Sequence, residues 1–138
     1  MAEQKSIQER VVKACEQILQ HHNYVNLTEV FKVIGVLQPK HEESWRQGKI
    51  SNLESVIQGN PQKIIEAIYW VDMWVSREGL IPIEIESYAR ISGRKQELQY
   101  TEEGDSENET LFKTYYFSPK LSELDLQKIR ARLEKSRN

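Results

Sequence analysis

Apolar positions recur every three to four residues along the first half of the chain, and every second residue along part of the second half. Ile7, Val11, Ala14, Cys15 and Ile18 sit at helical spacing. Ser6 and Glu9 just ahead of them have capping-box spacing, in which each side chain satisfies a free backbone donor at a helix start. The pattern stops near His21-His22-Asn23. Asn26 with Glu29 opens a second helix, with Leu27, Val30, Phe31 and Ile34 as its apolar face and Gly35 as its stop. His41–Gln47 reads as one or two helical turns ending at Gly48, and Ser51 with Glu54 predicts a short helix through Ile57. Asn60 and Pro61 then open the strongest helix, from about Gln62 to Glu78, ended by Gly79. Ile64, Ile65, Ile68, Val71, Trp74 and Val75 are its expected buried face. Ala67, Tyr69, Trp70 and Met73 carry apolar character around most of the cylinder, which predicts a central helix touched on several sides.

Beyond Gly79 the period becomes twofold. Ile81, Ile83 and Ile85 alternate with Pro82, Glu84 and Glu86, as in a half-buried strand with its proline at an edge. Ser92-Gly93-Arg94-Lys95 reads as a turn, Gln96–Thr101 as a second strand, and Glu102–Glu109 as an acidic loop or hairpin tip. Thr110–Phe117 reads as a third, aromatic strand, with Phe112, Thr114 and Tyr116 on one face and Leu111, Lys113, Tyr115 and Phe117 on the other. Ser122 with Asp125 caps a last helix with a narrow Leu126-Ile129-Leu133 stripe, expected to pack on the sheet, and the final residues are expected to fray. The expected fold class is α+β in a single domain, 1–138: a helical part, 1–79, then a three-stranded antiparallel meander with a closing C-terminal helix, 80–138.

Composition narrows the classes. The 19 basic and 21 acidic side chains nearly cancel, and a net charge of −2 supplies no global attraction to nucleic acid or an anionic membrane. The lone Cys15 excludes an intramolecular disulfide and a multi-cysteine zinc site. No apolar run reaches the roughly 18 residues of a membrane span, and the start lacks a signal-peptide core. The expected setting is cytoplasmic, without a membrane partner.

From Gly35 to Pro119 the segments GVLQPKHEESWRQGKISNLESVIQGN, GLIPIEIESYAR and GDSENETLFKTYYFSP resemble a group of small bacterial proteins. Those proteins carry a Trp-Arg-x-Gly element ahead of a Leu-Glu-x-Val-Ile helix, and a Gly-Asp element ahead of an aromatic strand. The resemblance implies a recurrent domain type. It implies no activity, cofactor or site residue.

Candidate chemistry is sparse. Trp45, Arg46, Gly48 and Lys49 offer a stacking face, two cations and a close backbone approach, which suits a partner surface. The competing account packs Trp45 in the core, pairs Arg46 with an acid and leaves Gly48 as a helix stop. Arg90, Arg94 and Lys95, near Tyr88 and Tyr100, make a basic hairpin of the kind a winged-helix protein lays along a phosphate backbone. Tyr116 on the aromatic strand is a further partner-binding candidate. His21 and His22 point about 100° apart on a helix and do not converge on one metal, and His41 is distant. The carboxylates of residues 102–109 lack the alternating ligands of a calcium loop. No nucleophile elbow, phosphate-cradling loop or zinc motif is present, so no catalytic residue, metal or cofactor is assigned. The favoured reading is a non-catalytic protein-interaction or regulatory module, binding a protein partner or itself as a homodimer. The rival is a winged-helix-like nucleic-acid-binding domain.

Overall fold

Ser6 accepts the Glu9 N–H at 3.1 Å and starts α1 (Ile7–His22), which ends where Asn23 turns into the left-handed region at φ 64°. The structure, a computed structural model, describes residues 6–104 and 107–135. Asp105 and Arg137, and the side chain of Lys135, lie outside the described residues. A two-residue strand, β1 (Tyr24–Val25), follows α1 directly. Asn26 Oδ1 then accepts the Glu29 N–H and caps α2 (Leu27–Val33). Pro39 at the first turn opens α3 (Pro39–Arg46), two residues ahead of the expected start. The next short element is a 3-10 turn (Leu53–Val56), and its cap is Asn52 rather than Ser51, because the Ser55 N–H finds Asn52 Oδ1 at 2.9 Å. Asn60 caps α4 (Pro61–Arg77) through the Gln62 N–H.

The second half keeps the expected strand character and changes its pairing. The alternating run splits into β2 (Ile81–Glu84) and β3 (Tyr88–Ile91), which belong to different sheets. β3 pairs with β4 (Arg94–Glu97) as a hairpin whose two loop residues, Ser92 and Gly93, both have positive φ. That turn matches the strand twist, and it moves Arg94 and Lys95 from the loop into the strand. The expected third strand is half helix: α5 (Glu107–Lys113) runs straight into β5 (Thr114–Phe117). A run as short as Thr110–Phe117 carries either period, and the helical form lets Phe112 reach the core beside Phe31 and Tyr100. The three-stranded sheet is therefore β1-β5-β2, all antiparallel, with the last strand in the middle, and no meander forms.

Register divides that sheet into two faces. Tyr24, Ile83, Tyr115 and Phe117 share one, and α6 (Glu123–Lys135) covers it with Leu126, Ile129 and Leu133 in a small second core. Val25 and Tyr116 share the other, which joins the main core. In that main core α4 packs chiefly on α1, with Ala67, Val71, Trp74 and Val75 against the Val11, Ala14, Cys15 and Ile18 face. Burial pushes the Cys15 thiol up to about 12, with Glu16 adding to the effect, so at neutral pH it is a small apolar group. Leu98, Tyr100 and Phe112 reach the same core from beyond Gly79.

Candidate partner-binding groove

The twofold face of α4 corrects the expectation of a helix wrapped on all sides. Ala67, Val71, Trp74 and Val75 are buried, whereas Ile65, Tyr69 and Met73 are 61%, 53% and 38% exposed. Spacings of four residues place those three side chains one above another along the outer surface. Tyr69 stands edge-on to the half-buried Trp70, with ring centroids 4.9 Å apart, which fixes its ring without covering it.

Beside this stripe lies a groove between α4 and the segment formed by α5 and β5. It consists of two adjoining depressions of about 280 and 250 Å³ that share Ile68 as a wall. The first is floored by Ile57, Ile64, Ile65 and Phe112, beneath the start of α4. The second is formed by Leu27, Tyr69, Leu111 and Tyr116. Glu54 at one end and Asp72 at the other are the charged residues among their described lining. Burial raises the Tyr116 phenol above its ordinary value, and the Asp72 carboxylate adds to the shift, so the hydroxyl stays a neutral donor or acceptor at the groove edge.

Trp45 and Arg46 sit elsewhere and are turned inward. Trp45 is 0% exposed; its indole Nε1–H donates to the Gln99 carbonyl at 2.8 Å and its ring packs on Tyr100 at 4.7 Å. Arg46 is buried and its Nε donates to Glu42 at 2.9 Å, while Lys32 reaches Glu42 and Glu29 at 2.8 Å each. Burial works against the Glu42 carboxylate, but Arg46 and Lys32 outweigh it and hold Glu42 below its ordinary value. Gly48 (φ 81°) lets the chain turn against β3, where any Cβ would overlap the Ile91 side chain. The corner locks α3 to the hairpin and offers no stacking face. Of its cations only Lys49 is exposed.

On the hairpin, Arg90 lies directly opposite Lys95, and Ile91 opposite Arg94. All three cations are exposed, and Lys95 rests over the Tyr88 ring at 4.2 Å. At the base of the hairpin Lys113 holds Glu86 at 3.2 Å and Glu97 at 3.5 Å. Glu109, assigned from sequence to a solvated loop, is buried instead. Its carboxylate accepts the backbone N–H groups of Tyr100 and Thr101 and the Thr101 hydroxyl, tying α5 to the chain after β4. Among the described residues no group of three or more His, Cys, Asp or Glu side chains gathers as a metal set, and no helix is long and apolar enough to cross a membrane.

No family model matches the chain, and neither curated proteins nor solved structures give a match.

Of the residues singled out from sequence, the fold brings only Tyr116 to the groove. The sequence pattern puts Ile65 on the main buried face of its helix and Tyr69 in the apolar band that widens it. The sign of their true position is that Gln62, Asp72 and Ser76 fall on the same arc of the helical wheel. A core-facing arc does not carry three polar residues.

Proposed function

We propose that the chain is a non-catalytic protein-interaction module whose partner packs on the outer face of α4 and the adjoining groove. The observation that carries this reading is the open Ile65-Tyr69-Met73 stripe beside two apolar depressions. Exposed single apolar side chains are ordinary, whereas a contiguous patch next to a groove marks an interaction surface. Rigid aromatic and aliphatic anchors near the centre of such a patch carry most of the binding energy. A photo-crosslinking residue at position 69, expressed in the native host, tests it, with the same residue at exposed Lys13 on α1 as control. Discrete protein adducts from position 69, lost with Ile65→Ser, are expected. The same adduct pattern from both positions, or none from position 69, would overturn the reading.

A second reading rests on the exposed Arg90–Lys95 pair with Arg94 beside it. In this reading the hairpin contacts the phosphates of a nucleic acid, giving affinity without base readout. Arg46 is committed to Glu42 and contributes nothing to that surface. Binding of a labelled duplex at low salt, falling steeply as salt rises and lost in Arg90→Glu/Lys95→Glu, would support it. Salt-independent retention, or no binding at low salt, would end it.

A further inference from the structure

The groove has a charge as well as a shape. Its described lining contains two carboxylates, Glu54 and Asp72, and no cation. Further acids stand around the Glu54 end. The Glu102 N–H donates to Glu54 Oε1 at 3.0 Å, which brings the exposed Glu102-Glu103 pair to that end. Glu107, exposed in the first turn of α5, precedes the lining residue Asn108. On α4 itself Glu66 and Asp72 flank the Ile65-Tyr69 stripe on its two sides, by the 100° advance per residue. Lys63 lies on the far side of the helix from this stripe by the same construction, about 160° from Ile65.

We infer that the occupant of the groove is a cationic amphipathic helix of a partner protein. This inference rests on the reading of α4 as a binding face. From Pro61 to Asp72 the groove runs along about 16 Å of helix at 1.5 Å per residue, which is three turns of a partner helix. Its two depressions take apolar side chains one or two turns apart, the spacing of helix-in-groove recognition. Lys or Arg side chains on the shoulders of that helix then meet Glu54 and Asp72. A second copy of this chain fits less well. Antiparallel pairing of two α4 helices about Tyr69 brings the two Glu66 side chains towards each other on one side of the seam and the two Asp72 side chains towards each other on the other, like-charge approaches that disfavour the pair.

The test is fluorescence anisotropy with two labelled model peptides that share leucine anchors. One carries Lys on its polar face and the other Glu. The Lys peptide should bind at least about tenfold more tightly than the Glu peptide. Ile65→Ser/Tyr69→Ser should remove that binding, and Glu54→Lys/Asp72→Lys should reverse the preference for sign. Three results would overturn the inference. Equal binding of both peptides, lost in the serine variant, leaves an interaction face without charge selection. Lys-peptide binding that ignores the serine variant is adhesion to general surface charge. Binding of neither peptide removes the cationic helix as occupant. In that case, sedimentation velocity on wild type and Tyr69→Ser reports whether a second copy covers the face. Adducts from position 69 that persist beside any of these results leave the binding-face reading intact and remove only the partner's chemistry.

Discussion

Trp45 and Tyr69 are both aromatic residues on helices, the first between polar neighbours and the second between Ile68 and Trp70, and their surroundings in the fold are the reverse of what those neighbours suggest. Trp45 is enclosed: its ring meets Tyr100, its N–H has the Gln99 carbonyl, and the cation beside it is neutralised by Glu42. Tyr69 meets Trp70 along one edge and otherwise faces outward between Ile65 and Met73. The first region has its polar groups satisfied and its apolar surface removed from water, so its contribution goes to stability. The second keeps apolar surface in water at the rim of a groove, and that surface becomes favourable only when something covers it. The lesson is that a Trp-Arg-x-Gly segment and an apolar helix were each legible from sequence, but their exposure was decided by long-range packing.

The comparison breaks first at the corner. Trp45→Ala should cost about 3–5 kcal/mol of unfolding free energy, since it removes a fully enclosed ring and strands the Gln99 carbonyl. Urea unfolding followed by circular dichroism measures it; a loss near zero would mean that the corner is not part of the core. Arg46→Ala should cost about 3 kcal/mol, because Glu42 is then buried with Lys32 as its remaining cation. The same cluster predicts a pH dependence. Glu42 has a folded pKa below its ordinary 4.5, so its stabilisation is complete above that value and is lost as pH falls through the folded value. Urea midpoints from pH 7 down to pH 3 should therefore fall in wild type, and Glu42→Gln should flatten that slope. Gly48→Ala comes next, at about 1–3 kcal/mol, from overlap with Ile91 and a positive φ. Ile91→Val in that background should recover the part of the overlap due to Cδ1, and Ile91→Ala the part due to Cγ1 as well, leaving the backbone part, which double-mutant cycles separate.

Much of the helical half is legible because its signals are local. Ser6, Asn26, Asn60 and Ser122 cap the helices assigned to them, and each cap needs only a side chain within three residues of its donor. The misses are non-local or too short to carry a period. Tyr24–Val25 becomes a strand only because Phe117 and Tyr116 lie beside it, more than ninety positions away in number. α5 is seven residues long, and Leu111-Phe112 suits either period until Phe31 is known to be the neighbour. Ser51 and Asn52 both precede a helical turn, and only the geometry of Ser55 selects Asn52. At the groove, Tyr116 was visible as an aromatic strand residue. Ile65 and Tyr69 are hidden because apolar residues spread around most of α4 read as burial on several sides, although Gln62, Asp72 and Ser76 share their arc.

The smallest expected effect is the most direct test, because the account holds that the outer face of α4 serves a partner and not the fold. Urea unfolding of Ile65→Ser/Tyr69→Ser should give a stability within about 1 kcal/mol of wild type, as for surface positions. A loss above about 3 kcal/mol, comparable with Trp45→Ala, would place these side chains in the core and contradict the account.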